Sequence, residues 1–175
     1  MTATQFTVRP ALPDDLEPMR TIYNDAVRHT TATYDYEPRP AAKQLEWFAA
    51  KQAAGLPVLV ADACGEVAGF ASYGPFRPWA GYRFTVEHSV YVDARYRRQG
   101  LASALIGALL EQARAQGLHL MVGGIDAANE GSIALHRQLG FEDAGVLREA
   151  GYKFERWLHL AFMTKKIPGA QDAQA

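Results

Sequence analysis

The sequence predicts a single α/β domain built on a mixed sheet. Three observations carry that expectation. Strand-like and helix-like segments follow one another in the order β-α-α-β-β-β-α-β-α-β-β, with no internal repeat and no second core. The 175 residues fit the roughly 100 to 200 of one domain, a size that folds without disulfide or metal staples. Hydrophobic residues make up 49% and charged residues 21%, the balance of a globule rather than a disordered tail or a fibrous repeat.

Phe6 to Arg9 reads as a short strand, and Pro13-Asp14-Asp15 then supplies a helix start. Leu16, Met19, Ile22, Tyr23 and Ala26 follow at helical spacing, to an end near Arg28. Thr30 to Pro40 is polar and aromatic, is broken by Pro38 and Pro40, and is a candidate binding loop. A second amphipathic helix runs through Leu45, Trp47, Phe48 and Ala49 to a stop at Gly55. Pro57 to Ala63 and Glu66 to Tyr73 form a hairpin pattern about a tight Cys64-Gly65 turn. Gly74 to Tyr82 is too rich in Pro and Gly for regular structure, and Arg83 to Val92 alternates as a strand. Gly100 to Gln116 is a helix with Leu101, Leu105, Ile106, Leu109, Leu110 and Ala113 on one face and Gly117 as its stop. A strand at His119 to Ile125 precedes a short helix capped by Asn129 and ended by Gly140. Two further strands fill Glu142 to Lys166 around Gly151, and the last residues read as a frayed tail.

Eighteen basic and nineteen acidic residues leave a formal charge of -1, without the broad positive field that a phosphate backbone would recruit. Nucleic acid is therefore not the expected partner. The N-terminus lacks an apolar signal core, and no run of about 18 apolar residues offers a membrane span. The expectation is a soluble, cytoplasmic protein with no membrane partner. The single cysteine, Cys64, cannot form an intramolecular bridge, and no local cue marks it as an activated thiol. No metal site is expected.

The most specific feature is SVYVDARYRRQGLASALI. A strand runs into a basic turn, Arg95 to Gln99, and Gly100-Leu101-Ala102 opens a helix. A helix N-terminus leaves about four N–H groups without partners and carries roughly half a positive charge. Gly100 permits close backbone approach, Ala102 leaves room, and Arg97 and Arg98 add charge, which together fit a pyrophosphate. The turn lacks the Gly-Lys-Ser/Thr of a P-loop and the G-x-G-x-x-G of a dinucleotide fold. An ordinary strand-to-helix turn with a solvated basic surface is the plain alternative.

Arg97-Arg98-Gln99-Gly100-Leu101-Ala102 resembles the Q/R-x-x-G-x-G/A acetyl-CoA signature of the GNAT superfamily of N-acetyltransferases, and NEGSIALHRQLGF at Asn129 to Phe141 is similar to that family's second marker. Asn129, Ser132 and His136 stand three and seven residues apart and share one helix face, which would border the pantetheine. YRFTVEHSVYV at Tyr82 to Val92 and GYKFERWLHLAFM at Gly151 to Met163 resemble the phosphinothricin and methionine sulfoximine/sulfone branch. The resemblance implies a GNAT fold over residues 1–167, with a central, mostly antiparallel mixed sheet flanked by helices, a flexible tail at 168–175, acetyl-CoA as co-substrate and a homodimer. It places Val90, Tyr91, Val92, Arg97, Arg98, Gln99, Gly100, Leu101, Ala102, Ser103, Asn129 and Ser132 at the cofactor. Three positions depart from the pattern: Ala102 stands for a common Gly, Glu155 for a frequent Gly, and His159 for a usual Asp.

Acetyl transfer to an amine requires a neutral nucleophile, a polarised thioester carbonyl and a proton for the departing thiolate. Glu87, an acid in an otherwise apolar strand leading to the cofactor turn, is the candidate base, with a solvated strand residue as the plain alternative. A main-chain N–H within Val90 to Val92 could polarise the carbonyl if the neighbouring strand splays away. By resemblance His136 takes the place of the thiolate's proton donor, as acid or accessory base, or is a half-buried helix residue. His88 points to the face opposite Glu87 if pairing is regular, and is as much a structural as a catalytic candidate. For the acceptor, Arg77 and Lys153 offer charge for a carboxylate, and Tyr34 and Trp79 offer aromatic walls. Arg77 also fits a solvated loop charge, Trp79 a core or dimer contact, and Arg83 is a weak further candidate.

The expected activity is direct acetyl transfer to the α-amine of a small amino-acid analogue such as methionine sulfoximine, methionine sulfone or phosphinothricin. The rivals are an N-terminal peptide or protein acetyltransferase, which would want an open acidic groove, and a non-catalytic acyl-CoA-binding sensor, which would not need both Glu87 and His136.

Overall fold

The computed structural model describes residues 5–168. Strands β1 (Thr7–Pro10), β2 (Val58–Ala63), β3 (Glu66–Pro75), β4 (Thr85–Val92), β5 (Leu120–Asp126), β6 (Glu142–Lys153) and β7 (Arg156–Lys166) form one sheet in the order β1-β2-β3-β4-β5-β7-β6. Helices α1 (Leu16–His29), α2 (Ala41–Ala53), α3 (Leu101–Ala115) and α4 (Glu130–Gln138) flank it. The β4–β5 pair is parallel, while β1–β2, β2–β3, β5–β7 and β6–β7 are antiparallel. The mixed, mostly antiparallel sheet expected from the sequence is present. The proposed tail, 168–175, lies outside the described residues apart from Pro168.

Contacts cluster into two units, residues up to 72 with 89–109, and residues 73–88 with 110 onward. In the first, α1 and α2 bury Met19, Ile22, Val27 and Phe48 with Val58, Val60, Val67 and Phe70 of the β2–β3 hairpin. The apolar spacing read along α1 is what turns Met19, Ile22 and Tyr23 inward. Arg9 on β1 bridges Asp15 at 2.7 Å and Asp62 at 2.9 Å; its guanidinium holds the Asp15 carboxyl below the usual range, and the Gly65 N–H, 2.7 Å from Asp62, does the same for that carboxyl with the guanidinium's help. In the second unit, Val86 of β4 and Met121 and Val122 of β5 are buried, as are Leu158, Ala161 and Met163 of β7.

The turn of the last hairpin differs from the sequence expectation. It falls at Phe154-Glu155, between the paired Lys153 and Arg156, and not at Gly151, which is inside β6 opposite Leu158. Phe154 and Glu155 take φ of 51° and 58°, the left-handed pair that a two-residue turn with the right twist demands. Left-handed φ favours glycine, which explains why a Gly is frequent where Glu155 stands. β6 also carries two irregularities, at Asp143/Gly145 and Leu147/Gly151. At the second, Glu149 has φ 53° and its N–H donates to Nδ1 of His159 at 2.9 Å. His159, a departure from the family pattern, thus ties down a β-bulge.

Candidate active site

Alternation along β4 turns Val86 and His88 to a buried face and leaves Glu87 half-buried on the other. β4 is paired with β5 from Thr85↔Leu120 to His88↔Gly123 and continues to Val92. Beside Glu87 and His88, β5 carries two successive glycines: Gly123, the register partner of His88, and Gly124, one residue further on, while Glu87 itself pairs with Val122. A Cβ on Gly124 would stand 2.8 Å from Oε1 of Glu87. A Cβ on Gly123 would stand 3.0 Å from Nε2 of His88 and 3.1 Å from Nε2 of His136. Each glycine therefore makes room on one face of the strand. Neither was singled out from the sequence, although two glycines inside a strand pattern are a signal of close approach.

Burial pushes the Glu87 carboxyl above the usual range, and the Arg77 guanidinium pulls it back. Arg77 is exposed in the β3–β4 connection, lies over the Phe76 ring at 4.3 Å from its centroid and donates to the Phe76 carbonyl at 3.0 Å. Phe76 meets Phe162 edge-on at 6.3 Å. Arg77 is thus near enough for its charge to act on the Glu87 carboxyl.

His136 is 1% exposed and His88 8%. Their Nε2 atoms are 3.0 Å apart, and Nδ1 of His136 donates to the Ser132 carbonyl at 2.7 Å. Burial lowers the proton affinity of both rings. Phe141 packs edge-on against both rings, at 5.7 Å from His88 and 5.0 Å from His136. Asn129, the N-cap of α4, accepts from the Ser132 N–H at 3.1 Å. The expected common face of Asn129, Ser132 and His136 is a capped helix start whose histidine is directed inward.

The other acceptor candidates are placed differently. Lys153 is 2% exposed, with its ammonium 5.1 Å from the Phe154 ring centroid, so its charge is not displayed at the surface. Trp79 is 67% exposed and tilted against Tyr82, which removes it from the core. Arg83 covers the Phe84 ring. Tyr34 is half-buried in a loop that is firmly tied. Asn24 accepts from the Arg39 N–H at 2.7 Å and donates to its carbonyl at 3.1 Å, and the Tyr23 hydroxyl donates to Asp35 at 2.5 Å.

The basic turn has the conformation an anion cradle needs. Asp93 accepts from the Arg95 N–H at 2.8 Å and pairs with its guanidinium at 2.9 Å. Arg97, Arg98, Gln99 and Gly100 are exposed, while Leu101 is buried and fixes the start of α3, with Ala102 and Ser103 partly exposed beside it. Arg98 and Gly100 take φ of 61° and 85°, and a Cβ on Gly100 would meet nothing within 4 Å. That open backbone, the first N–H groups of α3 and two exposed arginines fit a pyrophosphate. Upstream, Val90, Tyr91 and Val92 are partly buried, and Tyr91 stacks on Phe70 and meets Tyr23 edge-on. No helix among the described residues is long and apolar enough to cross a membrane.

Comparison with known proteins agrees with this geometry. The model of the acetyltransferase (GNAT) family matches residues 17–141. An L-methionine sulfoximine/L-methionine sulfone acetyltransferase of Pseudomonas paraeruginosa is 49% identical over 95% of this chain and 98% of its own. A phosphinothricin N-acetyltransferase of Streptomyces coelicolor is 33% identical over 93% of this chain and 97% of its own. The crystal structure of a GNAT superfamily phosphinothricin acetyltransferase from Sinorhizobium meliloti, in complex with acetyl-CoA, is 37% identical and superposes with a TM-score of 0.91 over 95% of this chain and 91% of that one. The cradle before α3, the capped α4 and these matches lead to one conclusion: the chain belongs to the GNAT family of acetyltransferases.

Proposed function

We propose that the protein moves the acetyl group of acetyl-CoA directly to the α-amine of a small amino-acid analogue of the methionine sulfoximine, methionine sulfone or phosphinothricin type. The observation that carries this reading is Glu87, a half-buried carboxylate lying over Gly124 in the field of Arg77. The relatives named for these acceptors support it.

In this reading the first N–H groups of α3, Gly100 and the side chains of Arg97, Arg98 and Gln99 hold the pyrophosphate, and Asn129 and Ser132 border the pantetheine. Acetyl-CoA supplies the activated thioester. Glu87 takes the ammonium proton, so that the nitrogen lone pair is free to attack. An N–H within Val90 to Val92 polarises the carbonyl, the new C–N bond forms as the C–S bond breaks, and the thiolate leaves as a thiol with the proton that the acylated nitrogen sheds in becoming a neutral amide. Arg77 receives the acceptor's carboxylate, with Tyr34 and Trp79 as walls. The protein acts as a cytoplasmic homodimer on a small acceptor, with neither nucleic acid nor membrane as partner. Exposed Val146, Leu147, Tyr152, Phe154 and Trp157 on the β6–β7 hairpin support a protein contact there.

Release of free CoA thiol from acetyl-CoA, measured against methionine sulfone, methionine sulfoximine, phosphinothricin, methionine and a short peptide, tests the proposal. The oxidised acceptors are expected to have the highest kcat/KM. A peptide preference would replace this reading by an N-terminal acetyltransferase, and no turnover of any amine by a sensor.

A further inference from the structure

The imidazole pair next to Glu87 has no part in the reaction just described, yet its protons are fixed by its surroundings. The Ser132 carbonyl can only accept, so Nδ1 of His136, 2.7 Å away, carries a proton. In the neutral ring Nε2 is then a lone pair. It faces Nε2 of His88 at 3.0 Å, which must be the N–H donor of that contact. The remaining nitrogen of His88, Nδ1, is a buried acceptor with no protein partner. The rings stack at 5.1 Å with 19° between their planes. Gly123 brings β5 so close that a Cβ would meet both rings at 3.0 to 3.2 Å.

A proton carrier has to exchange its proton with substrate or solvent. His136 is 1% exposed, and each of its nitrogens is engaged in a hydrogen bond that exchange would break. What the pair does is join three elements: β4 at the residue after Glu87, β5 at Gly123, and the first turn of α4 at Ser132. We infer that His88 and His136 are positioning residues, a neutral and directionally hydrogen-bonded pair that locks Glu87's strand to the start of α4. Neither ring exchanges a proton with the reacting groups. This rests on Glu87 being the base.

Two experiments test the pair. In His136→Gln the amide reaches the same point as Nε2 and can accept from His88, but it cannot titrate. A positioning role predicts a kcat lowered by no more than about tenfold, with both limbs of the pH profile of kcat/KM kept, whereas His136→Ala loses more. A loss beyond tenfold in His136→Gln, towards the roughly 10² to 10⁴ of a general acid or base, or a vanished alkaline limb, would overturn it. Should the variants fail to fold, nitrogen-15 NMR of the wild-type histidines decides. The expected pattern is Nδ1–H at His136 and Nε2–H at His88, unchanged between about pH 5.5 and 9, where an ordinary imidazole would titrate. Either ring titrating in that range overturns the inference. Glu87→Gln is assayed alongside. Wild-type turnover there would remove the base assignment while the NMR result stood on its own.

Discussion

Oε1 of Glu87 occupies the space that a side chain at Gly124 would need, 2.8 Å from where its Cβ would be. A carboxylate is the far end of a flexible side chain and can move aside, so Gly124→Ala is expected to fold with a nearly unchanged melting temperature. In the proposed mechanism the displaced carboxylate would no longer meet the amine, and misplacement by about 1 Å can cost of order 10²-fold in rate. Steady-state kinetics of Gly124→Ala beside its thermal melt checks this. Gly123→Ala should behave in the opposite manner. Its Cβ meets two packed rings, and overpacking there should cost roughly 1 to 3 kcal/mol of stability, read by denaturant titration.

Replacing Glu87 tests its proposed role as the base directly. Glu87→Gln should lower kcat near neutral pH by about 10² to 10⁴-fold and leave acetyl-CoA binding intact. Much of the loss should return at high pH, where the free amine is abundant. A pH series of kcat with calorimetric binding of acetyl-CoA separates the two effects.

Arg77 and burial act on Glu87 in opposite senses, burial raising its proton affinity and the guanidinium lowering it. As the proposed base Glu87 would work only when ionised, so activity is expected above its pKa and should fade below it. Removing the cation leaves burial unopposed. In Arg77→Ala the acid limb of kcat/KM should therefore move to higher pH, together with a raised KM for the acceptor.

Acid should weaken the fold through the histidine pair. Burial holds both rings below the usual imidazole range in the folded protein. Between that lowered value and an unfolded value near 6.5 the unfolded chain binds more protons. The pair's contribution is therefore full above about pH 6.5 and declines as pH falls below it. Urea melts at pH 7.5 and about 5.5 should show this slope, and His88→Gln should reduce it.

At the cofactor turn the limiting feature is backbone conformation. Gly100 has φ 85° and open space around its Cβ position, so Gly100→Val would strain the turn and fill the approach to a pyrophosphate. Acetyl-CoA affinity by calorimetry should fall severely in Gly100→Val and only mildly in Arg97→Ala, since backbone donors are shared among several residues.

Much of this was legible from local pattern. The strand, basic turn and helix about Gly100 are contiguous, and Glu87 is the one acid in the strand that leads into that turn. The histidine pair was not legible, because His88 and His136 are 48 residues apart and only the β4–β5 register and the docking of α4 bring them together. Lys153 reads in the sequence as a cation for the acceptor's carboxylate, whereas alternation at the end of β6 turns it inward. The last hairpin was misread because Gly151 looked like the turn, whereas left-handed Phe154 and Glu155 carry no compositional mark.

Cys64 sits exposed at the β2–β3 turn and is the only cysteine in the chain. In any assay that follows CoA with a thiol-reactive dye, the enzyme contributes one equivalent of its own colour, a stoichiometric background to be subtracted. The same thiol offers a single attachment point for a fluorophore or spin label, on a turn that holds none of the residues assigned to acetyl transfer.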